Sequence, residues 1–542
     1  MRTRTLVATA SLFTLGLLHC GSNAAAPGPG EGASGADAGD AVVLPPPPPP
    51  PENCDGTATP RATLCVVHEA YGVFVSASKG SDSGDGTRAH PLKSVSKAIQ
   101  GALPSGRRVY VCAEMYDEVL TFGDGIDIYG YFDCKGDWVV GTGRALIAPS
   151  TEVIASRAKN VVKPTFVEAL DIRGRLATEP GQSSIGLLAE GSKGLTFASV
   201  RIVAGQARAG ARGASAIQLT ESQKASGNDG NAAASCSQAG TDLFVCETQR
   251  TLPASGGTSR CVGADGFNGG PGGQGGISGR YELREQRAGD PVGSCPRVNG
   301  MATFCYFLVP GYAPADGDNR GLSPAPAAGA TPTTMAQPGA AGAAGSDGAN
   351  GAWQITATGF SPGDGTAGTH GAPGQGGGGG TGERLYYNSH QGIHDLWGGR
   401  GAGGGAGGCP GLAGGAGGGG GASIAVIAIQ SPIKFDINSE IIASAGGAGG
   451  SGTAPSNARS GGSAGYSPSS NPEYTAGAPG GAGGTGGYSG HGASGPSIGI
   501  AYRGPKPNAY ATPKTAPAAP GLPAMGPIPA TAPGLAAPTF AF

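Results

Sequence analysis

The chain has 542 residues, of which 106 are Gly and 44 are Pro, while only 13% are charged and 6% are aromatic. Such a composition cannot fill a conventional large apolar core throughout and points to one elongated body with linkers. The formal net charge of −2 argues against a nucleic-acid-binding surface or a polybasic membrane contact.

Arg2 and Arg4 precede an apolar run over residues 6–18, too short for a transmembrane helix. The run ends Leu17-Leu18-His19-Cys20-Gly21. This resembles a bacterial lipoprotein signal, with His19 where that family has a small residue. The resemblance implies a signal peptide over 1–20, lipidation of Cys20, and a membrane partner reached through the lipid anchor only. Gly21, in place of an aspartate, implies the outer membrane or cell surface; simple secretion is the alternative. Residues 21–53 read as a disordered Ala/Gly/Pro tether. Its seven prolines, 45–51, form a stiff spacer of about 22 Å at ~3.1 Å per residue.

Setting Cys20 aside, ten of the eleven cysteines remain in a chain with an export signal, which points to disulfides. Cys54 with Cys65 and Cys112 with Cys134 are natural local pairs. The connectivity of Cys236, Cys246, Cys261, Cys295, Cys305 and Cys409 stays open. No two cysteines have the Cys-x-x-Cys spacing of a zinc site.

The body, residues 54–222, opens with a β-rich run at 73–75 and a turn cluster at 80–87. Leu92, Val95, Ala98, Ile99 and Ala102 then recur at helical spacing, and strands follow at 107–112, 119–122 and 125–132. Tyr116-Asp117-Glu118 lies between them. The order of strand, Gly-Ser-Asp turn, short helix and a strand leading to Tyr-x-Glu resembles the start of pectate-lyase-like right-handed parallel β-helix proteins. The resemblance covers about residues 71–135. It implies a helix that covers the apolar end of the first coil, and implies fold rather than activity. Asp82 and Asp85 are candidate calcium ligands, with local Asx turns as the commoner use of such residues.

Short apolar runs alternate with turn residues over 145–222, the spacing of a parallel solenoid. One unit recurs: Ser184-Ile185-Gly186-Leu187, Ser423-Ile424-Ala425-Val426 and Ser497-Ile498-Gly499-Ile500. This predicts further rungs within 422–504, with the Gly-rich tracts as excursions from one stack. A separate Gly-rich domain with two hairpins is the alternative.

Between and around these units glycine falls at every third position: Gly263–275, Gly339–351, Gly365–380, Gly405–420 and Gly477–486. A three-residue period fits a polyproline-II-type helix with one edge free of side chains. Having no internal hydrogen bonds, such helices must find backbone partners in their neighbours. Ala, Gly, Ser and Thr between the glycines, and short runs, argue against collagen. Packed polyglycine-II-like segments are therefore expected within 223–421 and beyond, with flexible linker as the alternative. The fold class predicted is all-β: a right-handed parallel β-helix or solenoid with polyglycine-II-like segments, supported by disulfides. The rhythm of strands and Gly-Gly-x tracts also resembles the Gly-rich, PGRS-like surface proteins of myxobacteria and actinobacteria, which implies exposure and interaction.

Residues 383–397 interrupt the glycines. Tyr386, Tyr387 and Trp397 are candidates for stacking on sugar rings, and His390, His394 and Asp395 have metal-like spacing. A loop anchored by its aromatics is the plainer reading. Asp171, Arg173 and Arg175 lie on one strand, where a polysaccharide lyase would need acids and a base; structural ion pairing is commoner. No Ser-His-Asp arrangement, Walker loop or dinucleotide fingerprint occurs. The tail, 505–542, reads as extended and Pro/Ala-rich. Beyond the calcium candidates no cofactor is indicated. The expectation is a cell-surface structural or adhesive lipoprotein contacting glycans or neighbouring cells. A polysaccharide lyase or hydrolase, and an ice- or mineral-binding protein, are the alternatives.

Overall fold

The computed structural model describes residues 44–217, 254–261, 271–276, 326–331, 334–382, 401–466 and 476–542. It also describes the strand backbone at 237–238, 244–245, 280–285, 304–308 and 396–397. Cys20, Cys236, Cys246, Cys295, Tyr386, Tyr387, His390 and His394 lie outside the described residues, as does the glycine series 263–269. Strand accounts for 25% of the structure and helix for 3%, so strand pairing builds it.

Three parallel sheets carry the body. Sheet A runs Gly72–Val75, Arg108–Cys112, Ile128–Asp133, Thr165–Glu168, Leu195–Ala198, Lys434–Phe435 and Asn508–Ala509. Sheet B runs Met115–Tyr116, Ala145–Ile147, Leu170–Arg173, Arg201–Ala204, Glu440–Ala443 and Lys514–Thr515. Sheet C runs Leu120–Thr121, Ile154–Lys159, Ser184–Glu190, Ser423–Ile429, Ser497–Arg503 and Ala536–Ala541. From Arg108 onward the chain visits A, B and C in unbroken rotation, and each strand pairs with the one a full circuit earlier. Among the described residues the only antiparallel addition to these sheets is Val139–Val140, against Ile128–Asp133.

The inward residues make one continuous apolar core that includes Val73, Val109, Ile128, Val167, Leu187, Phe197, Val426 and Phe435, all at most 2% exposed. Fully burying side chains of this size stabilises by about 1.5–3 kcal/mol each. The repeated Ser-Ile unit explains itself here. Ser184 pairs with Ser423 and Ser423 with Ser497, Ile185 with Ile424 and Ile424 with Ile498. A separate domain of two hairpins is thereby excluded.

The helix Val95–Ala102 covers the first end of this core, burying Val95, Ala98, Ile99 and Ala102. Ser94 caps it by accepting from Lys97 N–H. The Tyr-x-Glu run completes the job. Glu118 accepts from Ser94 Oγ at 2.8 Å, Val95 N–H at 2.7 Å and Ser96 N–H at 3.0 Å, which satisfies donors that a helix start leaves open. A carboxylate there also favours the helix dipole. Tyr116 donates its hydroxyl toward the carbonyls of Val75 and Cys112. Leu44, at the end of the tether, packs on the same core, and Arg107 donates to the Pro45 carbonyl. This part of the tether is docked rather than free.

Every long excursion leaves from sheet B and returns to sheet C: 205–422, 444–496 and 516–535. Three sheet C strands open with a buried serine that bonds to backbone where an excursion leaves sheet B. Ser184 Oγ accepts from Gly205 N–H, Ser423 Oγ donates to Gly205 O, and Ser497 Oγ accepts from Ala516 N–H.

The excursions are extended segments joined by backbone bonds at three-residue intervals. Gly339, Gly342, Gly345, Gly348 and Gly351 donate to the carbonyls of Pro479, Ala482, Thr485, Tyr488 and His491 at 2.7–2.9 Å. Antiparallel to these, Thr366, Thr369, Ala372 and Gln375 donate to Ala349, Ser346, Ala343 and Ala340. The 401–421 segment lies deepest. It accepts from Gly371, Gly374 and Gly377 on one side and from Gly450, Ser456 and Gly462 on another. It donates to Gly481, Gly484 and Gly490 on a third. The glycines permit this closeness. A Cβ on Gly342, Gly407, Gly484 or Gly487 would collide with a backbone carbonyl of the adjoining segment. Because lateral backbone bonding sets the spacing in sheets and segments alike, a strand can run into such a segment without opening a gap.

Among the described residues three disulfides are seen: Cys54–Cys65, Cys112–Cys134 and Cys261–Cys409. The first two are the local pairs expected. The third ties the 254–261 segment to the buried 401–421 segment, where Cys409 is fully enclosed. Cys305 is described only as part of the strand Phe304–Leu308.

The tail is more ordered than its composition suggests. It supplies the last strand of each sheet, and Ala536–Ala541 pairs along Ser497–Arg503. Pro538 sits in that edge strand, where its missing N–H removes a donor from the open edge.

Candidate functional site

Neither turn aspartate is arranged as part of a metal cage. Asp85 Oδ1 accepts from Thr87 Oγ1 at 2.7 Å and Thr87 N–H at 3.0 Å. Those two bonds, the hydroxyl's first, hold its pKa below the usual carboxylate range. Asp82 Oδ1 accepts from Ser94 N–H at 2.9 Å, and Lys97 lies 3.8 Å from the carboxylate. Both carboxylates thus serve the turn and the helix start. Among the described residues no group of three His, Cys, Asp or Glu side chains could hold a metal ion.

The sequence candidates on sheet B do meet, with additional partners. Arg173 grips Asp171 through Nε at 3.1 Å and Nη2 at 2.7 Å. Asp171, Arg201 and Glu440 occupy matching positions on three adjacent strands. Arg201 lies 3.5 Å from Asp171 and 3.8 Å from Glu440, and Arg144 reaches Glu440 at 3.8 Å. Arg175 turns away, donating to the Thr151 carbonyl and Thr178 Oγ1. Asp171 is 8% exposed, and the bidentate Arg173 bond raises the guanidinium's pKa. A base for proton abstraction would have to be free of such a lock. The chemistry this ladder supports is ion pairing across the strands. Arg201 and Glu440 were not foreseen, because cross-strand partners become neighbours only once the register is known.

Of the aromatic candidates, only the backbone of Trp397 is described. It belongs to Leu396–Trp397, which pairs antiparallel with Arg280–Glu285, itself paired with Phe304–Leu308. The excursion thus carries a small antiparallel sheet of its own.

The described residues contain an aromatic site that sequence reasoning passed over. Trp353 follows the glycine segment 339–351 and leads into a hairpin, Gln354–Thr356 with Gly359–Ser361. Gly359 takes φ +132°, which L side chains rarely adopt. The hairpin lays Ile355 and Phe360 on the outer face of sheet C with Ile185, Ile424 and Ile498. Trp353 contacts Phe360 at 5.8 Å and Phe540 at 5.9 Å between ring centroids. Beside the indole lies a cleft of about 320 Å³, lined also by Asn350, Ser494, Thr531 and Pro533. The signal available was Trp353 itself, an isolated tryptophan amid small residues.

The walls are fixed. Asn350 Oδ1 accepts from His491 N–H and its Nδ2 donates to the Pro529 carbonyl, both at 2.9 Å. Ser494 Oγ donates to the Pro520 carbonyl at 2.7 Å, and Thr531 Oγ1 accepts from Leu522 N–H at 2.7 Å. The Pro-rich tail is thereby fastened against the glycine segments.

No protein-family model, no curated protein and no solved structure matches this chain.

Proposed function

We propose that this protein is a cell-surface structural and adhesive module, tethered through a lipid on Cys20. Its three parallel sheets are read as a right-handed parallel β-helix of the pectate-lyase-like kind. The handedness rests on the strong preference of parallel crossovers. The glycine segments are read as polyglycine-II-like rods. Glycans on neighbouring cells or in the surrounding matrix are the partners, and the body works by presenting surface rather than by catalysis.

The single observation that carries this reading is the backbone lattice of residues 339–351, 401–421 and 477–495. A chain so poor in charged and aromatic residues obtains rigidity from main-chain bonds, which suits a durable scaffold more than a tuned reaction centre. The Arg-locked Asp171 agrees with this. Protease shaving of whole cells tests the reading. The protein should be accessible from outside, and its deletion should reduce attachment to glycan-coated surfaces. A protein that stays intact and inaccessible on whole cells would contradict it.

A second reading has its own observation. The outward rows of two adjacent rods carry Ala340, Ala343, Ser346 and Ala349 beside Thr366, Thr369 and Ala372. At about 9 Å per three residues this is a regular array of small side chains, as ice or mineral binding requires. Thermal hysteresis by the purified protein would favour it.

A further inference from the structure

We propose that the cleft beside Trp353 is a subsite for a neutral pyranose ring of an oligosaccharide. The inference rests on the glycan-contacting reading above and gives it a site and a ligand class. At about 320 Å³ the cleft falls at the lower end of the 300–1,000 Å³ range of small-ligand pockets, enough for a sugar ring. Its surface has the mixed character a sugar presents. One aromatic side chain and Pro533 offer apolar contact for a ring's C–H face, while Asn350 and Thr531 offer polar atoms.

The hydrogen-bond inventory points to an acceptor-rich ligand. The Trp353 indole N–H and the Thr531 hydroxyl hydrogen have no acceptor among the described residues. Asn350 Nδ2 has two hydrogens and gives one to Pro529. Three donors on cleft-lining residues therefore have capacity to spare, and sugar hydroxyl and ring oxygens would accept from them. The charge of the ligand follows from the walls. No charged side chain lines the cleft, so a uronate carboxylate would lose water without gaining a cation. The clamps through His491 N–H and Pro529 hold Asn350 before a ligand arrives, which lowers the ordering cost of binding.

The test uses the intact exported protein and a panel of hexasaccharides, neutral (maltohexaose, cellohexaose, mannohexaose) and charged (hexagalacturonate). Calorimetry gives affinity and tryptophan emission locates the contact. A neutral hexasaccharide should bind and shift the emission. Thr531→Val should weaken it about three- to tenfold, the effect of one lost hydrogen bond. Trp353→Phe, which keeps an aromatic ring in the packing, should abolish the emission shift. Hexagalacturonate should bind at least about tenfold more weakly. The subsite is overturned if no neutral member binds, if both variants bind as the parent does, or if hexagalacturonate or a polyproline peptide binds more tightly. Cells displaying Thr531→Val keep the two ideas apart. Full attachment with undiminished dependence on the protein would sink the subsite while leaving the adhesive reading intact. Attachment that never depended on the protein would sink the adhesive reading, and oligosaccharide binding in solution would then stand on its own.

Discussion

Phe197 and Phe435 stack inside the core with ring centroids 5.1 Å apart and planes inclined by only 12°, although residues 205–422 leave and return between them. The two lie at paired positions of sheet A, and Phe122 meets Phe197 edge-on at 5.6 Å. After the long excursion the chain thus rejoins the same sheet in register. Phe435→Ala should cost about 3–5 kcal/mol, as large buried truncations do. Denaturant unfolding measures it, and a loss below about 1 kcal/mol would mean that the later circuits are not bound into the core.

Glu118 supplies the next prediction. Its carboxylate accepts three bonds at the start of the single α-helix described. Glu118→Ala leaves two backbone donors open beside buried Val95, so a loss of about 1–3 kcal/mol is expected. Glu118→Gln, which keeps an acceptor, should lose less. Circular dichroism melts of both variants check the order.

The Gly487 position tests the close packing of the glycine segments. A Cβ there would collide with the Ser346 carbonyl, so Gly487→Ala should destabilise by about 1–3 kcal/mol or more through overpacking. Ala344→Ser, at an exposed position of the 339–351 segment, should change stability by less than about 0.5 kcal/mol. Equal effects from the two substitutions would speak against packed segments.

The Cys261–Cys409 bridge closes a loop with a sequence separation of 148 residues and sits within the lattice. Cys261→Ser with Cys409→Ser should lower stability by about 2–5 kcal/mol. Limited proteolysis should then cut the Gly-rich segments before the sheets.

Alkaline pH gives a readout of the aromatic face. Burial raises the Tyr110 phenol to about 12, with Arg108 pulling it back part of the way. Its hydroxyl donates to the Val66 carbonyl. Burial also raises Tyr116, Tyr129 and Tyr131. A tyrosine in the unfolded chain ionises near pH 10, so the unfolded state sheds the proton first. The contribution to stability is full below about pH 10 and falls as pH rises toward 12. Tyrosinate absorbance should appear late and together with unfolding, and the Tyr110→Phe variant should resist alkali better.

Much of the architecture could be read from local signals. The matching Ser-Ile units of 184, 423 and 497 are the same units that pair, and glycines spaced by three are the ones that bond across segments. Local pairing of Cys54 with Cys65 and Cys112 with Cys134 needed only short loops. Non-local facts stayed hidden. The strand Ala536–Ala541 contains a proline and few strand-favouring residues, so only its partner Ser497–Arg503 reveals it. Arg201 and Glu440 join Asp171 through strand register. Trp353 gains its meaning from the tail that folds back to Asn350. Where spacing along the chain decides the structure the sequence is readable; where distant segments meet it is not.

Amide hydrogen exchange across residues 339–351, 401–421 and 477–495 decides whether the glycine segments are held by main-chain bonds. The donating glycines, among them Gly342, Gly408 and Gly484, should exchange slowly, at rates comparable with the core strand Ser423–Ile429. Exchange of those amides at the rate of an unstructured chain, with the sheets still protected, would contradict it.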